Sequence, residues 1–169
     1  GGGNVMPLTN LGADLGHATT QWDGLFARHL HLDYSPDVPA DHTASGITAT
    51  FRAGAGAAVA LFDLVSMSTT DDELIVADAD AYATSKVIGI ALAAISDNAE
   101  GDVLLFGVVR DNSWSWTSGE TLFLHTGGTG STISATAPSG TGDFVVPIGY
   151  ALSPHTIFFK PDMSLLEHA

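Results

Sequence analysis

Four places along this chain hold residues whose type and spacing could do chemistry. In Trp114-Ser115-Trp116 two indoles alternate, and on a strand they share one face, the arrangement that stacks on sugar rings or anchors a partner. The same pair fits a core aromatic contact equally well, because aromatic side chains dominate β cores. His29-Leu30-His31 sets two imidazoles two residues apart. On a strand both point the same way, and three such pairs around a threefold axis would offer six nitrogens to a transition metal; on a helix they diverge. Asp71-Asp72-Glu73, with Asp78 and Asp80, could give oxygen ligands to calcium. The twelve-residue loop with its fixed glycine and terminal glutamate is missing, however, and a solvated turn accounts for these acids as well. Gly127-Gly128-Thr129-Gly130 reads as a hairpin loop, since no lysine follows and no helix is expected after it to cradle a phosphate.

Covalent catalysis finds little to work with. The chain has no cysteine, no Gly-x-Ser-x-Gly elbow, and no serine that spacing ties to a histidine and an acid. A carboxylate pair for glycosidic chemistry is set by the fold rather than by spacing, and two carboxylates converging in one cavity, one of them strongly raised, would be its mark. The expectation is a chain that is not an enzyme and uses no cofactor.

The positions above must be held by one principal domain, because 169 residues at 45% hydrophobic content bury one sizeable core. Nineteen acidic against five basic residues give a formal charge of −14, which repels phosphate backbones and anionic lipid headgroups. Nucleic acid and membrane surfaces are therefore poor partners. No stretch of eighteen apolar residues occurs, and the opening residues lack the basic and apolar pattern of a secretory leader.

Residues 1–43 read as an N-terminal arm. Trp22, Leu25, Phe26 and Leu30 recur at helical spacing after Thr19 or Thr20 as a cap, predicting one short helix that Pro36 and Pro39 stop. With Tyr34, these side chains are too apolar to leave in water, yet lie in a segment too short to bury them, so they are expected at an attachment or oligomer contact. Residues 44–162 read as an all-β domain, a sandwich or barrel, in which short runs rich in Val, Ile, Phe and Thr alternate with Gly, Asp, Asn, Ser and Pro. Residues 163–169 read as a tail. Within the β domain a unit occurs twice: Ile75-Val76-Ala77 recurs in Ile133-Ser134-Ala135, 58 positions on (75 and 133), and Ile88-Gly89-Ile90-Ala91-Leu92 recurs in Ile148-Gly149-Tyr150-Ala151-Leu152, 60 positions on (88 and 148). The glycines leave room for another backbone to approach. Alternation puts Ile88, Ile90, Leu92, Leu104, Phe106, Ile148 and Leu152 in the core.

Gly119-Glu120-Thr121-Leu122-Phe123-Leu124, Gly130 to Ser139, Val146-Pro147-Ile148-Gly149-Tyr150-Ala151-Leu152-Ser153 and Ile157-Phe158-Phe159-Lys160-Pro161 together resemble a module of tailed-bacteriophage structural proteins. Leu74 to Ala81 followed by Val87 to Leu92 is similar to the first half of the same module. The likeness spans about residues 45–162. It implies a virion structural protein of the capsid decoration, head fibre or tail fibre type, homotrimeric, with the arm attaching to other virion proteins. A host-surface glycan bound by Trp114 and Trp116 is the alternative.

Overall fold

The computed structural model describes residues 40–69, 71–128, 130 and 132–169. The arm readings, namely the short helix, the contact residues Trp22, Leu25, Phe26, Leu30 and Tyr34, and the histidines His29 and His31, lie outside the described residues. The chain divides after His31, and every described residue belongs to its second unit.

This part is all β, as its strand formers and turn residues imply. Its strands are β1 (Thr43–Arg52), β2 (Leu64–Met67), β3 (Leu74–Val76), β4 (Gly89–Ala91), β5 (Glu100–Arg110), β6 (Thr121–Leu124), β7 (Ile133–Ser134), β8 (Phe144–Val145), β9 (Pro147–Ser153), β10 (Thr156–Phe159) and β11 (Leu166–Glu167). All but β8 and β11 form one curled antiparallel sheet, a half-barrel. β1 takes one edge of β5 along its whole length, so β4 and β10 share the other edge, β4 against Val103 and Leu104 and β10 against Gly107 to Arg110.

The duplication is visible in the strand order. From β5 outward the sheet runs β4, β2, β3; from β10 outward it runs β9, β6, β7. Pairings repeat as well: Ser66 opposite Ile75 in the first copy becomes Leu124 opposite Ile133 in the second, each 58 positions on.

In the Ile-Gly-x-Ala-Leu strands, β4 and β9, equivalent positions nevertheless face opposite ways. In the first copy Leu64, Ile90 and Leu104 are successive cross-strand partners and point into the main core, while Val65, Ala91 and Val103 point into a smaller cluster with Ala53, Val59, Leu74 and Ile95. In the second copy Tyr150, the counterpart of Ile90, is opposite Thr121 and Phe158 and points away from the core, which Ala151, the counterpart of Ala91, lines instead with Leu122 and Ile157. Two bulges cause the reversal. Against β1, Leu105 is an extra residue between Leu104 and Phe106; against β6, Ile148 is extra between Pro147 and Gly149. One inserted residue shifts the alternation by one and sends each following side chain to the other face.

That shift corrects the expected core. Ile90, Leu104 and Ile148 are fully buried, Ile88 and Leu92 are half-buried against the two clusters, and Phe106 is half-buried on the outer face of the sheet. Leu152 is 40% exposed, because beyond the Ile148 bulge it shares the outer face with Tyr150. The run Phe144–Leu152 splits into β8 and β9, and in Ala58–Val65 only the last two residues are strand. Residues 163–169 are more than a tail: Leu166 and Glu167 pair with Val145 and Phe144, and Leu165 packs on the main core.

Candidate functional site: an aromatic cavity beside β5 and β6

Trp114 and Trp116 sit in the connection from β5 to β6, which is extended but not a strand. Backbone bonds fix it. The Trp114 N–H donates to the Asp111 carbonyl at 3.2 Å, the Trp116 N–H to the Pro154 carbonyl at 2.9 Å, and His155 Nδ1 donates to the Trp114 carbonyl at 2.6 Å. The two ring centres lie 6.0 Å apart with planes tilted by 50°, and Phe62 stands 5.4 Å from Trp114. Both indoles are half-buried against the main core, and both also line an open cavity of about 250 Å³ together with Phe62, Asp63, Asp111 and Thr132. Core packing and ligand stacking therefore coexist in this pair. The Trp116 Nε1–H is buried without an acceptor among the described residues, which is costly unless a water or ligand oxygen meets it.

Asp63 is 1% exposed, held where β2 begins. Its Oδ2 accepts the Ala60 N–H at 2.8 Å and its Oδ1 the Gly130 N–H at 2.6 Å, so the glycine-rich loop expected as a hairpin is tied to the cavity wall. Burial pushes its carboxyl above the usual range, against the pull of those two bonds. Two carboxylates thus line one cavity, one part of the mark for glycosidic chemistry. Both Asp63 oxygens are engaged by backbone and almost no surface is left to meet a substrate, so Asp63 acts here as a staple between loops. A raised folded pKa means that the folded state binds more protons than the unfolded one at pH values above about 4, where an unfolded Asp ionises. Stability from Asp63 is full below that pH and declines as pH rises through the folded pKa. The stability difference between the native chain and Asp63→Ala, followed by urea unfolding, is expected to shrink as the buffer is raised from about pH 4 to 7; a difference that grows would refute the assignment.

Asp111 also belongs to a cluster: Asp41, His42 and Asp111 bring three ligating atoms within 4.8 Å of one another, the one such group among the described residues. His42 Nε2 lies 3.7 Å from Asp41 Oδ2 and 3.8 Å from Asp111 Oδ1, and its ring meets Phe62 edge-on at 5.8 Å. Asp41 Oδ1 accepts the N–H groups of Asn112 at 2.7 Å and His42 at 3.0 Å, and Asp111 Oδ1 accepts the Ser113 N–H at 2.7 Å. The Asn112 bond above all holds the Asp41 carboxyl below its usual range, with His42 adding to the pull. Turn stapling accounts for both carboxylates without a cation. Sequence spacing pointed elsewhere for metal, to His29 and His31 and to the acids from Asp71 to Asp80. Of the latter, Glu73 pairs with Arg52 at 2.9 Å and Asp71 and Asp72 are exposed. Asp41 and Asp111 stand 70 positions apart, and only the β1–β5 pairing joins them.

No family model, curated protein or solved structure matches the chain.

Proposed function

We propose that this chain is a non-catalytic structural protein of a tailed-phage virion, displayed on the particle as a capsid decoration or fibre component and working as a homotrimer with its arm at the contact. One observation carries the reading: the segments on which the resemblance rests, 74–92 and 119–161, supply strands to the two halves of a single duplicated sheet, β3 and β4 to one and β6, β7, β9 and β10 to the other. The resemblance then describes one coherent module and not scattered short matches. Its test is particle composition. Density-purified particles should contain this chain in stoichiometric proportion to the major shell or fibre protein, and fully assembled particles without it sink the proposal.

A second reading is favoured by the cavity. Two tilted indoles, the unmet Trp116 Nε1–H and the Thr132 and Asp111 oxygens suit a sugar ring, whose apolar face stacks while its hydroxyls seek donors and acceptors. With two carboxylates in the wall, the sugar would be neutral, not a sialic or uronic acid. On an array of neutral and acidic glycans, Trp116→Ala should weaken the strongest neutral signal at least about tenfold, the loss of one stacking partner. Absence of any neutral-glycan signal from the native chain ends this reading and leaves the first intact.

A further inference from the structure

The outer side of the curled sheet is covered over one half only. Over β2, β4 and the start of β5 it is roofed by Ala53, Val59 and Ile95, which close the smaller apolar cluster. Over the second half Ile47, Phe106, Val108, Phe158, Tyr150 and Leu152 stand on four neighbouring strands with nothing above them among the described residues. They are contiguous: Ile47 is opposite Phe106, Val108 opposite Phe158, Phe158 opposite Tyr150, and the Phe106 and Phe158 rings meet edge-on at 5.2 Å. Ile47 is 48% exposed and Tyr150 53%. A patch of this kind on an acidic chain marks a contact surface.

The charges beside it say what kind. Of the basic residues described, Arg52 is paired with Glu73 and Lys86 lies over the Tyr82 ring at 4.1 Å. Arg110 and Lys160 form no close ion pair among the described residues, although at longer range Arg110 draws on Asp41 and Lys160 on Asp162. Both flank this face. Arg110 shares its side with Phe158, where Arg110 Nη1 reaches Thr156 Oγ1 at 3.5 Å and its buried Nε finds no acceptor among the described residues. Lys160 follows β10 directly and lines a groove of about 250 Å³ with Tyr150 and Asp162. Two cations without a close ion pair beside aromatic surface suit an apolar partner that brings further carboxylates.

The same chain presents one. Asp78, Asp80 and Asp143 crowd together closely enough that the first and last push the Asp80 carboxyl above its usual range by like-charge repulsion, chiefly Asp78. Tyr82, 58% exposed, lies beside them on Phe144 at 5.7 Å. We propose that the outer face of β1, β5, β10 and β9 docks on a second copy of this chain, seating Arg110 and Lys160 against its surface around Asp78, Asp80 and Tyr82. The contact is head-to-tail. Head-to-tail contacts bring the cations of one copy to the crowded acids of the next, and they close into a ring where the rotation between copies closes.

This rests on the self-association proposed above, but on neither the arm nor the virion. Light scattering and sedimentation of the full chain over a dilution series should give a mass above the monomer. Tyr150→Ser, at an exposed position that leaves the core alone, should weaken assembly by roughly tenfold or more. Lys160→Glu should do the same, and Lys160→Glu combined with Asp80→Lys in one chain should recover most of it, because each contact regains a complementary pair. Far-ultraviolet circular dichroism checks that each variant is folded. A monomer throughout overturns both the self-association and this contact. A stable oligomer indifferent to Tyr150→Ser and Lys160→Glu, or one that the charge exchange does not restore, overturns the contact alone.

Discussion

Replacing Ile148 by Asp unfolds the β domain at neutral pH, whereas Leu152→Asp, four positions along the same strand, leaves it folded. Ile148 is fully buried in the main core, and a carboxylate there meets no cation and no water. An uncompensated buried charge costs about 3–5 kcal/mol, and the lost apolar packing adds roughly 1.5–3. A domain of this size is stable by only about 5–15 kcal/mol, so the two losses together remove a third or more of it and all of it at the lower end of that range. Leu152 is already 40% exposed on the outer face, where a carboxylate keeps its water and costs little. Urea unfolding followed by tryptophan fluorescence reads both variants. If Leu152→Asp proves as damaging as Ile148→Asp, the Ile148 bulge is misplaced and the alternation runs straight through β9.

Those two residues also mark where sequence reading stopped. The recurrence of Ile-Gly-x-Ala-Leu announced a duplicated unit, and the strand order honours it, because local strand propensity and glycine spacing are properties of the segment itself. Which face each copy buries is a property of the pairing. Bulges at Leu105 and Ile148 leave no trace in composition, so uniform alternation placed Leu152 and Phe106 in the core, and both stand on the outside. The cavity was half legible for the same reason. Trp114 and Trp116 stood out by type, but Asp63, Asp111 and Thr132 reach it from segments far apart, through the long β5 strand and the loop carrying Gly130. His42 is left-handed at φ 54°, a turn that aims its ring at Phe62 and that no motif foretells.

The glycine inside the repeat gives the last test, and its effect should be among the largest of any single-methyl change in the molecule. Gly149 pairs with Phe159 on one side and Leu122 on the other, so neither edge of its strand is free to move. Its φ is +145°, a conformation that side chains with a Cβ rarely adopt, and a Cβ built there would stand 1.9 Å from the Phe158 carbonyl oxygen. The obstacle is backbone in a paired strand and cannot rotate aside; β9 and β10 would have to part, giving up ladder bonds above the main core. Backbone strain alone costs about 1–3 kcal/mol at such a position, and lost pairing adds to it. Gly119, at φ +85°, has nothing within 4 Å of its Cβ, so alanine there pays only the left-handed conformation, roughly 1–2 kcal/mol. Gly89, the counterpart in the first copy, meets chiefly a Val103 methyl at 2.2 Å, with the Leu104 carbonyl at 2.9 Å, and shows no such φ. Denaturation midpoints are therefore expected to fall most for Gly149→Ala, less for Gly89→Ala and least for Gly119→Ala. If Gly149→Ala falls no further than Gly119→Ala, the close approach of β9 to β10 is absent, and with it the bulged geometry that turns Tyr150 and Leu152 outward.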